Sequence, residues 1–140
     1  MTTQSTLWLA SRELCNPAAL DEVYLARVGM PQELSAQRWR CAFQLSGPVP
    51  TEPEQAHGID AMQALVNALA GLNRLVKGSG RALTWLGGDP GDSGLYRQVP
   101  THLGSQFACQ IESLTDQAVT KKEAELRRLP ELQLGLQRLP

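Results

Sequence analysis

Gly58-Ile59-Asp60-Ala61-Met62-Gln63-Ala64-Leu65 opens the block whose reading decides the fold, and Gly87-Gly88-Asp89-Pro90-Gly91-Asp92-Ser93-Gly94 closes it. The first run is a helix start. Asp60 can cap the free N–H groups of the first turn, and Gln63 three residues on completes a capping-box pattern. Met62, Leu65, Leu69, Leu72 and Val76 then recur at helical spacing, which predicts an inward stripe. Ala61, Ala64 and Ala68 flank it and are small enough to let the helix lie close on a sheet. Gly78 and Gly80 end it. Arg81-Ala82-Leu83-Thr84-Trp85-Leu86 reads as a strand, and the Gly/Asp/Pro loop follows at once.

Working outward toward the N-terminus, strands dominate. Leu7–Leu14 reads as a first strand, closed by the turn signal Asn16-Pro17. Glu22–Val28 is a second, rich in β-branched and aromatic residues. Residues 31–36 read as polar turn material. Between Arg38 and Leu45 the pattern is clearest, with Trp39, Cys41, Phe43 and Leu45 alternating against Arg38, Arg40, Ala42 and Gln44. Such alternation predicts one apolar face and one face meeting water. Residues 46–57 carry Pro48, Pro50 and Pro53 and read as a loop or an edge segment.

Toward the C-terminus a second helix is expected from Ser105 to Leu129, with Phe107, Ile111, Leu114 and Ala118 as its inward face and Pro130 as its stop. The tail 130–140, with Leu132, Leu134, Leu136 and Leu139, is expected to be flexible or to dock on something. The element order β-β-β-α-β-α predicts an α+β fold, a largely antiparallel four-stranded sheet with helices packed on one face. The pattern does not decide how the fourth strand pairs. Residues 1–129 are expected to form a single domain.

Composition removes several function classes. Thirteen basic against fourteen acidic residues, a net charge of −1, offer no basic stripe to neutralise phosphates, so no nucleic-acid partner is expected. No apolar stretch approaches the roughly 20 residues of a bilayer span, so no membrane partner is expected. The N-terminus lacks the basic and apolar regions of a secretory signal, which predicts a cytoplasmic protein. Three scattered cysteines form no disulfide framework. Cys41 and Cys109 read as buried thiols, Cys15 as the exposed one.

Candidate chemistry concentrates in the Gly/Asp loop. Gly91-Asp92-Ser93-Gly94 matches a nucleophile tetrapeptide of chymotrypsin-like proteases, and His57 or His102 could be named as a base. A nucleophilic serine needs that base within hydrogen-bond reach and an acid to orient it. A turn whose glycines supply positive φ is the simpler reading. Asp89 and Asp92 form one imperfect copy of a calcium nonapeptide, a motif that binds in stacked arrays. As a phosphate cradle the loop lacks a lysine, and His57, His102 and the cysteines show no zinc spacing. Capping explains Asp60 without a role in acid–base chemistry. Trp8, Trp39 and Trp85 fall at strand positions, where packing is the usual role. No catalytic residue, metal or cofactor is expected, and Asp89, Asp92, Tyr96 and Arg97 are the candidate interaction residues.

Gly58, Ile59, Asp60, Gln63, Ala64, Leu65, Leu83, Trp85, Gly91, Asp92 and Gly94 together resemble an uncharacterised family of small bacterial proteins. In that family a glycine, an aliphatic residue and an aspartate lead into Gln-Ala-Leu on a helix. A Leu-x-Trp strand then precedes a Gly-Asp-x-Gly-Phe-Pro turn, where this chain has Leu95-Tyr96 in place of Phe-Pro. The resemblance spans most of residues 7–128, implies an α+β fold, and brings no activity with it.

Size, near-neutral charge and apolar ends lead to the expectation of a small soluble interaction protein with a protein partner or self-association. Its most specific form is an immunity protein that neutralises a bacterial toxin. Two alternatives stay open: a small hydrolase or ligand-binding domain using the 87–97 loop with Asp92, Ser93, Arg97 and His102, or an oligomerising structural component.

Overall fold

In the computed structural model, which describes residues 5–129, the alternating run forms the hub of the sheet. The strands are β1 (Trp8–Asn16), β2 (Ala19–Gly29), β3 (Gln32–Ser35), β4 (Arg38–Ser46) and β5 (Glu54–Gly58). Helix α1 (Ala61–Gly78) follows, then a single 3₁₀ turn at Thr101–Leu103 and helix α2 (Ser105–Arg127). The chain divides into two compact units between Gln98 and Val99. The fold is α+β, with an antiparallel five-stranded sheet.

Hairpin β1–β2 pairs along most of its length, from Ala10↔Val28 to Cys15↔Val23. β4 pairs β2 from Leu25↔Ser46 to Val28↔Phe43, β3 at Gln32↔Arg40, and β5 from Trp39↔Gly58 to Phe43↔Glu54. Such a hub strand is buried on both faces. Cys41 and Phe43 enter the core, and Ala42 and Gln44, expected to meet water, are buried as well. Gln44 is satisfied there: its Oε1 accepts from Arg27 Nε at 2.9 Å and Nη2 at 2.7 Å, and its Nε2 donates to Thr51 O at 2.7 Å.

The structure corrects several element-level expectations. Residues 31–36 are not merely a turn, because Gln32–Ser35 joins the ladder through its backbone while every side chain stays exposed. The segment 46–57 ends in the strand β5, within the edge alternative. The stretch 81–86, expected as a strand, makes a single antiparallel bridge, Cys15↔Thr84, with both N–H···O distances 2.9 Å. After Thr84 the chain turns back on itself, since Leu86 has φ of 53° and Trp85 N donates to Asp92 O at 2.9 Å.

Helix α1 begins as its sequence dictates. Asp60 Oδ1 accepts from Gln63 N at 2.7 Å, and Gln63 Oε1 accepts from Ile59 N at 2.7 Å, one residue before the cap. The buried seam is Ala64, Ala68, Gly71, Leu72 and Val76, packed on Leu14, Tyr24, Ala26, Val28, Phe43 and Leu83. Met62, expected in the stripe, is 75% exposed. Close approach rotates the seam: a Cβ on Gly58 would run into Ala64 N, so β5 lies directly against the first turn. Alanines, not the long side chains, face the sheet there.

In the second unit, α2 ends within two residues of its expected stop. None of its residues is buried, and Phe107 and Leu114, expected to face inward, are among the exposed apolar residues. Cys109 is exposed and Cys15 intermediate, reversing the expected order, while Cys41 is fully buried. The 130–140 tail lies outside the described residues. No helix among those described is long and apolar enough to cross a membrane.

Candidate functional site

The Gly/Asp loop is built as a closed turn. Thr84, buried beneath it, places Oγ1 3.0 Å from both Gly88 O and Asp89 O, where one hydroxyl proton is shared between two carbonyls. Asp92 N donates to Asp89 O at 2.9 Å, and Asp92 Oδ1 accepts from Gly94 N at 3.1 Å, an Asx turn. Gly94 has φ of +69°, and a Cβ on it would sit 2.7 Å from the Trp85 ring and 2.6 Å from Arg12 Nη1. The guanidinium of Arg12 stacks 3.9 Å from the Trp85 ring centroid and donates to Ser93 O at 3.1 Å. Trp85, Arg12 and Gly94 thus form one stack that only glycine completes.

Ser93 and the loop side chains singled out for chemistry take ordinary places in that turn. Ser93 is 5% exposed and its Oγ accepts from Leu95 N at 3.2 Å, an ordinary turn contact. Asp89, Asp92 and Arg97 lie exposed along the loop, and Tyr96 is 79% exposed. His57 sits in β5, while His102 belongs to the second unit. Of residues 87–97, Leu95 lines a small cleft of about 120 Å³ with Arg12, Leu69 and Leu72. Among the described residues, no group of three His, Cys, Asp or Glu side chains is placed to hold a metal ion.

A larger concavity, about 450 Å³, opens at the C-terminal end of α1. Its floor and walls are Tyr24 and Leu45 from the sheet, Pro48 and Val49 from the loop after β4, and Leu75 from the helix. That volume falls in the range of about 300–1,000 Å³ typical of ligand pockets. Gly47 lets the loop close over Tyr24, since a Cβ there would be 2.5 Å from the ring. The rim carries Glu22, Arg74, Ser79 and Arg81.

Most of these polar groups are already engaged. Glu22 Oε2 accepts from Asn16 Nδ2 at 3.1 Å and from Tyr24 Oη at 3.2 Å, and lies 3.7 Å from Arg81 Nε. Burial, the hydrogen bond to Glu22 and that carboxylate's charge raise the Tyr24 phenol above its ordinary value, against the opposing pull of Arg81. Val76 O accepts from both Ser79 N and Ser79 Oγ, and Ser79 O accepts from Arg81 Nη1 at 3.2 Å. Arg74 has no hydrogen-bonding or ionic partner among the described residues.

The sequence offers little to announce this notch. It joins residues 22–24, 45–51 and 74–81, and no spacing rule brings those stretches together. Val49, an apolar side chain 74% exposed in a proline-rich loop, is the one local signal.

A family model described as a domain of unknown function, DUF6968, matches residues 10–97, a span that holds both the Trp85 stack and the notch. No curated protein and no solved structure matches the chain.

Proposed function

The chain belongs to the DUF6968 family, to which no activity is attached, and from its geometry we propose that it is a protein-interaction module. In its most specific form the module is an immunity protein that neutralises a toxin. One observation carries the reading: the notch at the end of α1 is open, apolar within, and rimmed by a guanidinium without a partner among the described residues. Interfaces concentrate their energy where an anchor side chain fills such a pocket, and arginine is among the favoured contributors. A standard interface needs only about 800 Å² on each partner, which a domain of this size can present. The exposed loop side chains Asp89, Asp92, Tyr96 and Arg97 are the proposed polar flank of the same module.

Affinity capture from the native host, in parallel with Gly78→Phe, tests the proposal. A partner held by the wild type and lost by the variant supports it, as does protection of cells against a toxin encoded alongside. Recovery of no partner together with no protection removes it.

A second reading, self-association, is favoured by α2, where Phe107 and Leu114 are exposed on a helix with no buried residue. Light scattering compares the full chain with Leu114→Asp. A dimer dissociated by the substitution supports this reading, and monomers in both count against it.

A further inference from the structure

We propose that the notch at the end of α1 receives the C-terminal residue of a partner polypeptide, its apolar side chain in the cavity and its free carboxylate on Arg74. The inference rests on the interaction-module reading and names the chemistry of what that module grips.

Charge balance on the rim selects the sign. Glu22 is the rim's carboxylate, and its Oε2 is met by Asn16 Nδ2, Tyr24 Oη and Arg81 Nε. Arg81 is committed twice, to Glu22 and to Ser79 O, and its guanidinium also lies 6.0 Å from the Tyr24 ring centroid. The end of a helix disfavours an anion through its free carbonyls. Here the Val76 carbonyl is occupied by Ser79, and that of the cap residue Ser79 by Arg81, so two of the carbonyls at this end are already paired. Arg74 remains, a cation whose donors have no partner among the described residues. A guanidinium presents a planar fork matched to two carboxylate oxygens.

The joining of apolar and ionic parts in one cavity selects the kind of anion. Arg74 and Leu75 both line the notch, so one cavity presents a cation together with an apolar wall. A ligand must therefore carry its negative group close beside its apolar body. A chain terminus does so, because the α-carboxylate and the side chain leave the same carbon. A cavity of about 450 Å³ accommodates one large apolar side chain with room for the residue before it.

Gly78 supplies a clean test. It lines the notch, its φ is not left-handed, and a Cβ there would meet nothing within 4 Å. Gly78→Phe therefore fills the cavity from a position where the fold tolerates a side chain. The experiment is an NMR titration of the isotope-labelled full chain with N-acetyl-phenylalanine, with its neutral amide, and with a ten-residue peptide ending in phenylalanine with a free carboxylate.

Acid and peptide are expected to shift the amides of Tyr24, Gly47, Gly78 and Ser79 saturably. The amide is expected to bind about fivefold more weakly, the scale of one partly exposed ion pair. Arg74→Gln should bring the acid down to the level of the amide. Gly78→Phe should abolish binding while keeping the wild-type thermal midpoint. Equal binding of acid and amide, shifts elsewhere, or binding that survives Gly78→Phe would falsify the proposal. If N-acetyl-phenylalanine binds and the peptide does not, the occupant is a small carboxylate and the proposal fails. A failed titration beside a partner that is still captured refutes the terminus and leaves the interaction module standing.

Discussion

Gly94 illustrates how much of this chain's motif is structural. Its left-handed backbone and the Trp85 ring 2.7 Å from any added Cβ leave no room for a side chain. Gly94→Ala is therefore expected to cost about 1–3 kcal/mol, read by denaturant unfolding, with the Trp85 fluorescence altered. Other residues of the same block are structural too: Gly58 admits α1 against β5, Asp60 and Gln63 cap it, Ala64 and Leu83 fill the core, and Asp92 closes the turn. These residues are occupied in holding shape. The cysteines separate by environment in the same way. Burial raises the Cys41 thiol, against the lowering effect of a hydrogen bond with the Gly29 backbone, and the side chain is fully buried. Thiol labelling of the native protein is expected to modify Cys109 readily and to leave Cys41 untouched until the protein is denatured.

At the scale of elements, α1 and the segment after it are stabilised by different means. α1 is held by its cap and by a seam of small residues, so Asp60→Ala is expected to lower stability by about 1 kcal/mol in thermal or denaturant unfolding. The segment 81–86 has almost no ladder, only the Cys15↔Thr84 bridge, yet Leu83 is among the most buried side chains. Leu83→Ala is expected to cost about 2–5 kcal/mol, the range for deleting a buried leucine, measured by the same unfolding curves. A loss much under that range would show the segment to be peripheral. The sequence pattern of 81–86 is apolar enough for a strand, but pairing requires a neighbour over several residues, and the turn at Leu86 removes it.

At the scale of the molecule, the notch links stability to pH through Tyr24. Its phenol is raised above the ordinary value of 10.0, so the folded state keeps a proton that the unfolded chain has lost. Stability is expected to fall as pH rises from that ordinary value through the raised one, because the proton is then removed from a group the fold prefers neutral. Near-ultraviolet titration of the Tyr96→Phe protein, which leaves Tyr24 as the one phenol, should report ionisation above 10.0, and Tyr24→Phe should flatten the alkaline loss. Ionisation at or below that value would contradict the burial. Ligand in the notch, if it carries a carboxylate beside the ring, is expected to delay the ionisation further.

The start and stop of α1, the alternation of β4 and the α+β class follow from the sequence by itself, since capping, helical spacing and period-2 alternation depend on neighbours a few residues apart. Tertiary structure alone decided that Gln32–Ser35 pairs, that Met62 turns outward while Ala64 and Ala68 face the sheet, and that Gln44 is buried with its amide satisfied. It alone brought Tyr24, Gly47 and Arg74 around one cavity. The reason is physical: backbone ladders and close packing are settled between segments far apart in the chain, where no local pattern records the distance between them.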